Sequence, residues 1–301
     1  MKSRQKMKNN IKMKKRVGII YSGQMRSNSL NPDYKEDTVI LESTIKHLLN
    51  PEFEEKYNYD VFFSVDTIDI PKAKEYFKDH LQNVHLTESD WYMYKIEETI
   101  PDFSSFYDNY LQIDFKGYVN HSHALYQYYR MFCGYKLLKD HETKENKYYD
   151  YLIRIRPDLI IMQDIMPLLN ILETTTKKII MEHEQLCILT RDFEKVFHLI
   201  EYYGIYNERF DPKNSMRIKH FFQNKILFGD DIMVYSPEKQ FIEHIYQISL
   251  DKKLDWKDVF IGITYSSYVL LYRGNGLYGY LDDPNIENWK PFFTIEYIRS
   301  L

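Results

Sequence analysis

Arg154, Arg156 and Asp158 stand at the end of an apolar run, "YDYLIRIRPDLII" (149–161), where a buried strand is otherwise greasy. Side chains alternate faces along a strand, so the three point the same way if the strand runs straight through. Pro157 has no N–H to give to a ladder, which predicts that pairing ends there. Guanidiniums keep their charge and donate in pairs to oxygens, so two of them beside one carboxylate suit an anion such as a diphosphate. The alternative is an internal Arg–Asp network that closes the strand end, and such a network loses in desolvation much of what it gains in attraction.

Other residues offer weaker chemistry. His121 and His123 form an HxH pair at a predicted helix start; it is a metal pair without a nearby third ligand, or a pair of capping or exposed histidines. Asp230 and Asp231 follow Gly229 inside the apolar run "ILFGDDIMVYS", which fits either a bulge-and-turn or a carboxylate that takes a proton. The chain has no P-loop, GxSxG or HExxH pattern, which sets aside P-loop kinases and serine hydrolases.

These side chains need a scaffold, and the pattern of the chain supplies one. "RVGIIYSG" (16–23) and "YDVFFSVDT" (59–67) read as buried strands, with "NVHLTE" as a weaker one. Between them lie the amphipathic helix "EDTVILESTIKHLL" and the helix "PKAKEYFKDHL", which has Pro at its first turn. Residues 90–117 are aromatic and irregular and read as a loop or lid. A helix over 121–141 shows apolar residues at three-to-four spacing. Beyond the Arg/Asp strand come strands at "KIIMEH" and "QLCILT", a helix near 191–203, a strand at 225–236, a helix from Pro237 to about Leu250 and another near 256–268. Alternating strands and helices predict an α/β fold with a mostly parallel central sheet flanked by helices. Ligands of such sheets bind beyond the carboxyl ends of the strands. Ser22, Gly23, Gln24 and Arg26 follow the first strand, Ser64 and Asp66 close the second, and the Arg/Asp cluster ends a later one, so one rim collects them all.

Composition bounds the rest. With 301 residues, 44% of them hydrophobic, the chain fills a sizeable core. Its formal charge of −4 is uneven: residues 1–16 carry eight Lys/Arg and no acid, so 32 basic and 44 acidic residues remain, a formal −12. Residues 1–15 read as a solvated basic arm, and with no groove-reading motif beside them a nucleic-acid partner is not expected. Two cysteines, Cys133 and Cys187, make no disulfide framework and suggest a reducing compartment. No apolar run of about 18 residues or signal-like segment occurs, so a soluble, cytoplasmic protein without a transmembrane segment is expected.

The stretch "RPDLIIMQDIMPLL" resembles the signature region of GT-A glycosyltransferases, in which a strand ends in Asp-x-Asp and runs on to another Asp before a Pro-Leu helix start. Arg156-Pro157-Asp158 occupies the Asp-x-Asp triplet, and Asp164, Pro167 and Leu168 fall where the pattern expects them. The order "GIIYSGQMRS", "YDVFFSV", "YQYYRMF", "YDYLIRIRPDL" is similar to that of bacterial and giant-virus glycosyltransferase-like proteins in which "SGQxR" follows the first strand and "RxRPD" replaces the metal motif. The resemblance implies a single GT-A-like domain over 16–301, with a nucleotide-sugar half (16–168) and an acceptor half (169–301). It implies a UDP- or GDP-sugar donor and a glycan, protein or lipid-linked acceptor. Ser22, Gly23, Gln24, Arg26, Asp66, Arg130, Arg154, Arg156 and Asp158 would meet the donor, and Asp231, or else Asp230, would act as base. Asp158 would hold a divalent metal, manganese or magnesium; because Arg156 stands in the first acid's place, a fixed guanidinium is the alternative to that metal. A non-catalytic nucleotide- or glycan-binding descendant of the fold is the rival reading, and Asp158→Asn is expected to abolish transfer with the fold intact.

Overall fold

In the computed structural model, which describes residues 14–23, 39–78, 83–89, 121–182, 186–200, 237–263 and 269–271, the apolar runs become strands of one sheet. They are β1 (Lys15–Ser22), β2 (Tyr57–Val65), β3 (Val84–Glu88), β4 (Tyr151–Ile155), β6 (Ile179–Glu182), β7 (Leu186–Thr190) and β8 (Phe260–Ile263), in the order β3-β2-β1-β4-β7-β6-β8. The strands β5 (Leu159–Ile161) and β9 (Val269–Leu271) form a separate antiparallel pair. Helices α1 (Val39–His47), α2 (Pro51–Lys56), α3 (Ile70–Tyr76), α4 (His121–Glu145), α5 (Met166–Thr174), α6 (Pro237–Asp251) and α7 (Trp256–Val259) connect or cover them. No helix among the described residues is long and apolar enough to cross a membrane.

The sheet is mostly parallel, as expected, with one exception. β7 runs antiparallel to both β4 and β6. Only residues 183–185 separate β6 from β7, far fewer than the dozen or so a parallel crossover needs, so the connection allows only a reversal. Two helix readings are corrected. The segment near 191–203 winds as a tighter 3₁₀ helix over Arg191–His198, which still buries Phe193, Val196 and Phe197. Of the one near 256–268, the described residues are helical over Trp256–Val259, where Asp255 caps the turn by accepting from Lys257 N at 2.9 Å, and residues 264–268 lie outside the described ones. It then becomes β8 beside β6, because a short apolar run with aromatic and β-branched residues suits a sheet as well as a helix and burial decides between them. The predicted lid at 90–117 and the strand at 225–236 lie outside the described residues.

Strand alternation divides the core into two layers. Val17, Ile19, Tyr21, Val61, Phe63, Ile153 and Ile155 face one way, toward α1, α2 and α5. Ile20, Phe62 and Leu152 face the other, toward α4, where Tyr128, Phe132, Tyr135 and Leu138 receive them. The helix lies very close to the sheet. A Cβ added at Gly134 would stand 2.8 Å from Ile20 Cγ2, and one at Gly18 would stand 2.5 Å from Leu138 Cδ1. On the α4 face β1 and β2 carry polar residues at both ends around an apolar middle, Arg16 and Ser22 on β1 and Asp60 and Ser64 on β2, and β4 carries Arg154 near its end. The face that packs best therefore also carries two polar rims.

Candidate functional site

The chain lays β2 and β3 to one side of β1, then returns through α4 and lays β4 on the other side. Strand order thus reverses between β1 and β4, and in open α/β sheets the crevice at such a reversal is where ligands bind. The two strand ends touch there. Gly23 adopts a positive φ of 148°, and a Cβ on it would lie 2.9 Å from Pro157 Cδ, so this approach requires glycine.

Most of the predicted residues that are described assemble at this rim. Arg154 is buried and donates from Nε to Ser22 Oγ at 3.2 Å, across the β1–β4 pair. Arg156, just past the end of β4, makes a two-pronged pair with Asp158: Nε to Oδ1 at 2.9 Å and Nη2 to Oδ2 at 2.7 Å. Arg130, one turn before Gly134 on α4, is ion-paired with Asp66, the first residue after β2. Asp158, Arg130 and Arg154 are each 1% exposed, whereas the side chains of Arg156 and Asp66 are 15% exposed and form the open edge. The strand does not run straight through Pro157, since pairing stops at Ile155, and so Asp158 turns back onto Arg156 instead of lining up beside it. Asp164 has a local role, its Oδ1 accepting from Met166 N at 3.0 Å at the start of α5, where Pro167 sits in the first turn. Cys187, opposite Arg154 on β7, is buried, which pushes its thiol up to about 12 against the pull of Arg154. It stays protonated and is no nucleophile.

Gln24, Arg26, Asp230 and Asp231 lie outside the described residues, as do the side chains of His121 and His123. As a divalent metal ligand Asp158 does not fit: both its oxygens accept from Arg156, and the residue that would supply the neighbouring acid is that same arginine. Among the described residues the cationic groups named at this rim, Arg130, Arg154 and Arg156, are guanidiniums.

A second cluster, absent from the sequence expectations, lies at the opposite rim. Asp60 on β2, His85 on β3 and His141 near the end of α4 bring one oxygen and two ring nitrogens within 4.8 Å of one another. The β2–β3 register sets Phe62 opposite His85, and the two rings stack with centroids 5.1 Å apart. The His85 and His141 rings lie 4.2 Å apart. Asp60 Oδ2 accepts from Tyr149 OH at 2.7 Å and from Arg16 Nη2 at 3.0 Å, and Arg16 in turn covers the Tyr149 ring at 4.9 Å. Burial works to raise the Asp60 pKa, but His85, Tyr149, His141 and Arg16 together hold it below the ordinary carboxylate value. Burial and the neighbouring His85 lower that of His141 against the attraction of Asp60. The cluster opens into a cleft of about 640 Å³ that Lys144 and Lys147 also line. In the sequence its ligands stand 25 and 56 residues apart, a spacing that matches no local metal motif. An aspartate inside the buried run "YDVFF" was the one local signal.

No protein-family model matches the chain, and no curated protein matches it. Among solved structures, mouse xyloside xylosyltransferase 1 is similar over 94% of both chains at 10% identity, with a TM-score of 0.44. The 4-diphosphocytidyl-2C-methyl-D-erythritol synthase of Anaerococcus prevotii is similar over 95% of this chain and 96% of its own, at 8% identity and a TM-score of 0.35. The glycosyltransferase GlyE of Streptococcus pneumoniae is similar over 83% of this chain and 45% of its own, at 9% identity and a TM-score of 0.29. With TM-scores below 0.5, these likenesses carry no assignment of activity to this chain.

Proposed function

We propose that the protein is a sugar transferase that binds a nucleotide-diphosphate sugar at the rim where β1 and β4 end and moves the sugar to a hydroxyl of a glycan, protein or lipid-linked acceptor. The observation that carries this reading is the convergence of Ser22, Gly23, Asp66, Arg130, Arg154, Arg156 and Asp158, drawn from three strand ends and one helix, on the point where strand order reverses. The resemblance of "SGQMR" and "RIRPD" to glycosyltransferase-like sequences supports it. In this reading Arg156, at the open edge, meets the diphosphate, and Gln24 and Arg26, which follow β1 in the sequence, are further donor contacts. As the bond between the anomeric carbon and the diphosphate oxygen breaks, its electron pair stays on the diphosphate, and fixed guanidiniums stabilise the growing negative charge. For an inverting reaction, Asp231, or else Asp230, takes the proton of the acceptor hydroxyl as its oxygen bonds to the anomeric carbon.

One observation favours a second reading, that of a binder without turnover: Asp158 is buried and both its oxygens are already taken. Calorimetry with UDP- and GDP-sugars, run with and without manganese, together with an assay for donor hydrolysis, separates the two. An enzyme binds a donor and releases the free sugar slowly, and a binder binds without release. Absence of binding to any common nucleotide sugar overturns both.

A further inference from the structure

We infer that Asp60, His85 and His141 form a binding site for a zinc-class divalent transition metal at the rim opposite the proposed donor site. Zinc bound tetrahedrally at 2.0–2.1 Å holds its ligand atoms about 3.4 Å apart. Asp60 Oδ1 and His85 Nε2 already stand 3.6 Å apart, and all three ligand atoms lie within 4.8 Å of one another, so shifts of about 1 Å at side-chain ends complete the geometry. His85 Nε2 is buried and makes no hydrogen bond, since 3.6 Å is too long for one. A buried ring nitrogen whose nearest partner is a carboxylate oxygen 3.6 Å away, too far for a hydrogen bond, and which also faces a second imidazole is a group a cation between them would satisfy.

The surroundings are those of a supported site. Tyr149 and Arg16 hold Asp60 by its other oxygen, Oδ2, and so aim Oδ1 at the histidines, the kind of outer contact that orients a ligating carboxylate. Phe62 packs against both imidazoles, stacked on His85 and edge-on to His141 at 5.6 Å, and fixes their rings. Two imidazoles and one carboxylate suit zinc better than magnesium or calcium, which prefer all-oxygen shells. The fourth position faces the cleft and is left for water or a small ligand. Because its ligands come from β2, from the edge strand β3 and from α4, the metal would also clamp the edge of the sheet to the helix.

The test is independent of donor binding. Full-length protein stripped with a chelator is titrated separately with zinc, cobalt and magnesium, with calorimetry, thermal melting and, for cobalt, the visible spectrum as readouts. The expected result is one equivalent of zinc bound, a higher melting temperature, and the intense visible bands of four-coordinate cobalt. His141→Ala and His85→Gln should each lower zinc affinity at least 100-fold and abolish those bands, while circular dichroism shows the fold retained. Zinc binding that is absent, matched by magnesium, or unchanged in the two folded variants overturns the proposal.

Discussion

The two rims of the sheet are built by the same devices and end in opposite states. Both lie on the α4 face, and α4 serves both, with Arg130 at one rim and His141 at the other, eleven residues and about 16 Å along the helix. At the carboxyl rim each acid has met a guanidinium: Asp158 is held by Arg156 in two bonds and Asp66 by Arg130, and most of these groups are buried. At the amino rim Asp60 has met a guanidinium on one oxygen only, Arg16 on Oδ2, and its other oxygen faces imidazoles, with His85 Nε2 3.6 Å away. A planar fork matches both oxygens of a carboxylate, so an Arg–Asp rim satisfies itself and offers a ligand only its edge. An imidazole presents one nitrogen at a time, so a His–Asp rim gathers around whatever sits between its members.

The largest effect should come from breaking the pair at the carboxyl rim. Asp158→Ala removes both bonds to Arg156, whose guanidinium stands at the open edge and can turn toward water, and should cost about 2–3 kcal/mol of stability, read by urea denaturation; a loss under about 1 kcal/mol would mean the pair does not hold the strand end. The expectation that Asp158→Asn spares the fold is revised on the same ground, because the amide cannot accept both guanidinium bonds without turning a donor toward them.

Both rims should fail together when α4 is pushed off the sheet. Gly134→Val sets a side chain 2.8 Å from Ile20 Cγ2, a cost of about 1–3 kcal/mol from overpacking. Parallel loss of donor and zinc binding is expected, and loss of one alone would show that the helix does not couple them.

Tyr149→Phe should separate the rims instead. It removes the 2.7 Å bond to Asp60 Oδ2 and should weaken zinc binding about 10- to 100-fold while donor affinity is unchanged. An equal fall in both affinities would place the effect in the fold and not in the site.

The smallest effect concerns the opposite face of the amino rim. Burial raises the Glu173 pKa, but Lys56 at 3.0 Å, the Tyr57 hydroxyl at 2.9 Å and Lys15 at 3.5 Å outweigh it and hold the value below the ordinary 4.5. A depressed carboxylate stabilises the fold above its unfolded value and loses that contribution as pH falls through the folded one. Stability, followed by urea denaturation, should therefore fall less steeply below pH 4.5 in Glu173→Gln than in the unaltered chain, by about 1 kcal/mol or less. Identical acid limbs would remove this carboxylate from the account.

Much of the fold was legible locally. "GIIYS", "DVFFSV" and "YLIRI" are short apolar runs rich in β-branched and aromatic residues, which favours a buried strand, and the three-to-four spacing over Leu125–Leu138 is that of a packed helix. The carboxyl rim was legible too, because polar residues closing apolar strands have one place to go in a parallel sheet. The reversal of β7 could have been read from its three-residue link to β6. The strand character of Phe260–Ile263 could not, since so short an apolar segment fits either period until a neighbour pairs with it.

By itself the sequence determined most of the element types, the parallel character of the larger part of the sheet and the rim on which Ser22, Arg154, Arg156 and Asp158 meet, because each follows from the local pattern of apolar and polar residues. Tertiary structure alone decided which charges pair, and that Asp60, His85 and His141 share a cleft. Those outcomes depend on strand register and on how far along α4 a side chain falls, and an error of one residue in either would turn each group to the wrong face.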